Sequence, residues 1–114
     1  MGRMGEEEAV RAIERSGLVV LDRNWHFGHK EIDIVARDRN DLVVIEVKTR
    51  TAPVIELPEQ IINREKRRFL VAAAHAYVRY YRIPLEVRFD VVMVIYDKGR
   101  AEVSHIRNAF YPTL

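Results

Sequence analysis

The sequence contains no cysteine, which removes a disulfide framework, a thiolate metal site and a cysteine nucleophile at once. It holds five glycines and four prolines, and no glycine-rich phosphate loop opens a helix. No run approaches the ~18 apolar residues of a membrane span. The N-terminus MGRMGEEEAV lacks a signal-peptide pattern, so the cytoplasm is the expected address. Repeats, linkers and low-complexity segments are missing too, and Ser16 and Ser104 lack a nucleophile-elbow context. Lysine is scarce: Lys30, Lys48, Lys66 and Lys98 are the four, and every other cation is arginine. Arginine suits phosphate contacts, but a coding bias would give the same composition. The net charge of +2 is too small to argue for nucleic acid by itself. What is present, 48% hydrophobic and 32% charged residues in 114, predicts one globular domain over 1–114 with no membrane segment.

Residues 5–16, GEEEAVRAIERS, predict a helix with acids in its first turn, stopped by Gly17. Strands are expected at Leu18–Trp25, from about Lys30 to Arg37 and at Leu42–Thr49, with HFGH and RDRND as turns. An irregular stretch punctuated by Pro53 and Pro58 follows. Asn63 then caps a long helix from Arg64 to about Arg82, with Phe69, Leu70, Ala73, Ala74, Tyr77, Val78 and Tyr81 as its buried stripe. Two last strands, LEVRFDVVMVIY and AEVSHI, flank the turn DKGR. The order α-β-β-β-α-β-β predicts an α/β (α+β) architecture, one mixed sheet flanked by two helices.

Three charges interrupt this pattern in HKEIDIVARDRNDLVVIEVKTR. In the third strand Val43, Ile45 and Val47 make one face apolar, while the other passes from Leu42 and Val44 to Glu46, Lys48 and Arg50. In the second, Ile32, Ile34 and Ala36 alternate with Glu31, Asp33 and Val35. Antiparallel pairing predicts that Asp33 lies near Glu46 and Lys48. Two carboxylates at close range repel, and a divalent cation is the usual resolution; oxygen-only ligation suits Mg²⁺ or Mn²⁺. A lysine beside such a site holds an attacking water or stabilises charge at phosphorus. The competing account is a wet sheet end with a surface ion pair worth ~0–1 kcal/mol, and from these three residues alone it is slightly favoured. Glu6 on the inner face of the first helix is either a charge favourable to the helix dipole or a further site carboxylate. Lys66 extends the buried stripe of the long helix, where snorkelling would account for it. Arg64, Lys66, Arg67 and Arg68 at that helix N-terminus suit a phosphate backbone.

Weaker patterns surround these. His26 and His29 beside Glu31 invite a zinc reading but bring no further ligands. Glu31 shares the face of Asp33 and is either a supporting acid or a strand-edge charge, the second being favoured. Asp90, between Phe89 and Val91, is expected to pair structurally with the surroundings of Arg88 or with HIRN. Asn24 and Trp25 are expected to pack or cap, and Tyr77, Tyr80 and Tyr81 to form helix core and rim rather than an aromatic platform.

The ordered set GRMGEEEA, NW, EIDIVARD, VVIEVKTR, RFDVV and HIRNAF, from Gly2 to Phe110, resembles the small bacterial YraN-type family, related to the restriction-endonuclease-like PD-(D/E)-x-K nucleases and distantly to archaeal Holliday-junction resolvases. The resemblance implies an αβββαβ nuclease core. It matches Asp33 to the site aspartate, Glu46 and Lys48 to Glu-x-Lys, Glu6 to the first-helix glutamate and Lys66 to the lysine opening the long helix. Ile32 stands in place of the proline before aspartate, Lys30 in place of a frequent glycine, and APVIELP has no glycine.

The resulting expectation is a Mg²⁺- or Mn²⁺-dependent nuclease-like protein acting on DNA, branched or structured. Asp33, Glu46 and the Val47 carbonyl would bind metal, Lys48 would position water and Glu6 would support the metal shell. Lys66, Arg64, Arg67 and Lys30 would hold nucleic acid. A junction substrate would suggest a two-fold homodimer. The alternatives are a non-cleaving nucleic-acid-binding module with steep salt dependence and a protein-interaction subunit whose charges only order the sheet.

Overall fold

A computed structural model of the chain describes residues 2–57 and 60–112; Pro58 lies outside them. Helix α1 (Gly2–Arg15) leads to strands β1 (Val19–Phe27), β2 (Lys30–Asp38) and β3 (Asp41–Thr51). Helix α2 (Arg64–Tyr81) follows, then β4 (Glu86–Asp97) and β5 (Arg100–Ile106). The sheet runs β1-β2-β3-β4-β5, antiparallel except where β3 and β4 lie parallel across the α2 crossover. The helices cover opposite faces. Ala9, Val10 and Ile13 of α1 pack on Ile34, Ala36, Val43, Ile45, Val92 and Val94. On the other side Leu70, Ala73, Ala74 and Tyr77 of α2 pack on Leu42, Val44, Phe89, Val91 and Met93. With both faces covered, β3 and β4 are apolar through most of their buried length, Leu42–Ile45 and Val91–Val94, and Glu46 and Asp90 are the buried charges that interrupt them.

The expected elements are all present, with corrections in detail. Helix α1 starts at Gly2, so Glu6, Glu7 and Glu8 fall after its first turn, which carries no acid. Gly5 sits inside the helix because a Cβ there would collide with the Thr49 hydroxyl, and its absence lets α1 approach β3 closely. The helix ends where predicted. Gly17, at φ +100°, donates its N–H to Glu14, and Leu18 donates to Ile13, closing a Schellman motif. Asn63 caps α2, its side chain accepting from the Lys66 N–H at 2.8 Å. Tyr81, expected in the buried stripe, is 45% exposed, and Val71 is buried instead. The Tyr81 ring covers Tyr77 and Trp25 from outside, with centroids 4.6 and 6.5 Å away.

The main departure lies in the sheet. The β2–β3 ladder runs from Asp38↔Asp41 to Ile34↔Ile45 and ends there. Beyond that point β2 stays on β1 as far as Phe27↔Lys30, whereas β3 stays on β4 as far as Thr51↔Tyr96. The sheet therefore forks, and the site residues gather in the opening. Within β2 the alternation slips by one residue. Ile32 and Val35 face α2 while Ile34 and Ala36 face α1, so Ile32 does not share a face with Ile34 as expected. Asn24, opposite Asp33 in register, adopts a left-handed backbone at φ +52° that bends the β1–β2 ribbon there. Asp33 Oδ2 accepts the Val47 N–H at 2.8 Å, replacing a ladder bond with a side-chain one.

Candidate active site in the sheet fork

Opening the sheet lets side chains from both faces meet. Glu46 and Lys48 arrive on β3 from the α2 side. Glu46 is 4% exposed; its Oε2 lies 3.3 Å from Lys48 Nζ and 3.5 Å from Lys66 Nζ. Its Oε1 is buried without a hydrogen-bond partner, although an unpaired buried carboxylate oxygen is costly. Asp33 sits at the lip of the fork. Burial first, then the negative charge of Glu46, pushes its carboxyl up to about 7, against the lowering pull of the Val47 N–H. The charge of Glu6 pushes in the same upward direction.

From the α1 side comes Glu6. Oxygens of Glu6, Glu31 and Asp33 lie within 4.8 Å of one another. The Asn24 amide bridges two of them, donating to Glu6 Oε1 at 3.1 Å and to Glu31 Oε1 at 3.0 Å. Arg23 Nη2 stands 3.7 Å from Glu6 Oε1 and His26 Nε2 3.4 Å from Glu31 Oε2. Asp33 thus joins two groups, Glu6 with Glu31 on one side and Glu46 with two lysines on the other.

The sequence assignments divide accordingly. Asp33, Glu46, Lys48, Glu6 and Lys66 converge, and the main chain of Val47 is tied to Asp33. Lys30 lies at the rim, 3.6 Å from Glu65. Arg64 is exposed at the start of α2. Arg67 turns away: its Nε donates to the Ile62 carbonyl and its guanidinium lies over the Phe110 ring. Asn24 and Glu31 join the cluster without having been assigned to it. The asparagine could have been suspected as a residue type that tolerates a left-handed backbone. Alternation along β2 already puts Glu31 on the face of Asp33; an acid at a strand edge is ordinary, and only the Asn24 bridge to Glu6 marks it as part of the cluster. The histidines do not form the zinc alternative; His26 reaches only the outer side of Glu31.

Asp90, paired with Ile45 in the parallel ladder, has a different character. Arg88 reaches both of its oxygens at 3.0 Å, His105 Nε2 lies 2.7 Å away, and Asn108 donates its N–H at 3.1 Å. Burial raises this carboxyl, but the hydrogen bonds and the Arg88 charge outweigh burial and hold it below the usual range. It is a fully satisfied structural charge, as expected.

The oxygen donors fit a hard divalent cation. Several carboxylates crowd one opening, one of them keeps a buried oxygen unpartnered, and the chain has no thiolate to compete.

A five-stranded mixed sheet between two helices, forked beside an Asp and a Glu-x-Lys pair, defines an α/β protein whose core is consistent with the nuclease-like arrangement its motifs imply. The particular family follows from sequence comparison. The model of the Uncharacterised protein family UPF0102 matches residues 5–94. The UPF0102 protein of Bacteroides thetaiotaomicron is 42% identical over 114 residues, spanning 100% of this chain and 94% of that protein. The one from Parabacteroides distasonis is 46% identical over 111 residues, spanning 97% and 92%. The one from Flavobacterium psychrophilum is 35% identical over 111 residues, spanning 97% and 93%. The chain belongs to the UPF0102 family, the YraN-type family its motifs resemble. Among the described residues no helix is long and apolar enough to cross a membrane.

Proposed function

We propose that this protein is a divalent-cation-dependent nuclease that hydrolyses phosphodiester bonds in DNA. The observation that carries the reading is the unpartnered buried Glu46 Oε1 beside an Asp33 carboxyl that burial, and then the Glu46 charge, raise to about 7. Asp33 and Glu46 would hold Mg²⁺ or Mn²⁺, with Glu6 and Glu31 supporting them. When bound, such a cation supplies charge neutralisation and Lewis acidity at the scissile phosphate.

The remaining chemistry falls to the chain's own groups. Lys48, held by Glu46 Oε2, presents an ammonium that orients the attacking water and offsets charge on the phosphoryl oxygens. Lys66, on the same carboxylate oxygen from α2, grips a phosphate oxygen. Asn24 fixes the rotamers of Glu6 and Glu31. Water attacks phosphorus and gives up a proton to solvent, the bond to the leaving sugar oxygen breaks, and that oxygen takes a proton back from solvent.

End-labelled single-stranded, duplex and branched DNA incubated with Mn²⁺ tests this. Wild type should give product, and Glu46→Gln or Lys48→Ala should slow it by about 10²-fold or more. Metal-independent product, or product equal in all three proteins, would overturn the assignment of these residues. Salt-sensitive binding without product in wild type would leave a non-cleaving nucleic-acid-binding module.

A further inference from the structure

The turn between β1 and β2 carries an aromatic ring and an ammonium group to the rim of the carboxylate cluster. Gly28, at φ +68°, permits a two-residue turn with His29. That turn sets Phe27 directly across from Lys30. Phe27 is 39% exposed, with its ring 6.2 Å from Phe69 on α2. Phe69 in turn has two ammonium groups over it, Lys66 Nζ at 5.4 Å and Lys30 Nζ at 5.6 Å. Lys66 is the residue that reaches Glu46. Rings, lysines and site carboxylate are therefore linked contact by contact.

A single exposed phenylalanine needs no explanation. This one pairs a partly exposed ring with a neighbour, Phe69, that carries two cations leading toward the carboxylate cluster. The Lys30–Glu65 pair is exposed on both sides and contributes little, so an incoming anion displaces it readily. A ligand that is flat, anionic and continuous with a phosphodiester in the fork is a nucleotide. In an intact duplex the base faces are stacked and out of reach of such a ring.

We infer that Phe27, backed by Phe69 and flanked by Lys30 and Lys66, stacks an unpaired base of the nucleic acid strand entering the fork, so that single-stranded or frayed DNA is preferred to blunt duplex. This inference rests on the nuclease reading and names its substrate class.

Fluorescence anisotropy with labelled oligothymidylate, an abasic oligomer of equal length and a blunt duplex, with Ca²⁺ as the divalent cation, is the test. Wild type should bind oligothymidylate about tenfold more tightly than the abasic strand, the size of one base–aromatic stack. Phe27→Ala should erase that difference while leaving abasic affinity and melting temperature near wild type, and Phe27→Trp should keep it. A preference for the base-bearing strand that survives in Phe27→Ala would overturn the subsite alone, as would a wild type indifferent to the base. Failure of wild type to bind any of the three probes would instead overturn the nuclease reading beneath it.

Discussion

At the scale of single residues, the site is a balance of carboxylate charge against two lysines. Asp33 bears most of the strain. Its carboxyl, 3.8 by its ordinary value, is raised to about 7 in the folded chain, so the native state prefers the proton. The stability it contributes is whole below about pH 4 and is lost as pH rises through 7. Asparagine at this position has no such proton, yet its amide oxygen still accepts the Val47 N–H. Without divalent metal, Asp33→Asn should therefore gain stability relative to wild type as pH rises from 5 to 8, by about 1–3 kcal/mol. Melting curves across that range check this; parallel curves for the two proteins would mean that Asp33 is not protonated in the native state.

At the scale of elements, the positions of the acids depend on how closely α1 approaches the sheet. Gly5 gives up helix propensity of about 1 kcal/mol relative to alanine, and the close approach to Thr49 is the reason. Gly5→Ala should lower stability by roughly 1–3 kcal/mol despite the better propensity, because the added methyl meets the Thr49 hydroxyl. Thr49→Ala in the same chain should recover part of the loss. A more stable Gly5→Ala single variant would show that the helix slides without cost. Much at this scale was legible in the sequence: Gly17, Asn63 and the apolar runs gave their elements directly through local backbone chemistry. The fork was not. Period-2 reading assumes a strand that continues, and β2 changes face between Ile32 and Ile34 where it leaves β3. Asn24 stayed hidden because its role depends on a neighbouring strand. Arg67 was misplaced for a related reason: a basic helix N-terminus reads as one phosphate-facing patch, while packing sent this side chain to Phe110.

At the scale of the molecule, the sheet has one regular half and one divided half. β3 and β4 are the buried spine, and the Arg88–Asp90–His105 network ties β4 to β5 level with Ile45, the last residue of β3 that pairs with β2. Beyond that level β2 and β3 part, and both helices send a charged residue into the gap: Glu6 from one face and Lys66 from the other. Charges that seem to interrupt two good strands thus mark where those strands separate. The pairing Glu46 with Lys48 and Lys66 would by itself make an ordinary ion cluster; the unpartnered Glu46 Oε1 is what favours a cation.

The most direct test is thermal melting of wild type and Glu46→Gln with and without Mn²⁺. A cation held at about 100-fold above its Kd stabilises by ~2.7 kcal/mol, which for a chain of this size raises Tm by several degrees. Wild type should show that rise and Glu46→Gln should lose it. Equal melting of wild type with and without metal, or a rise that Glu46→Gln retains in full, would contradict a cation site in the sheet fork.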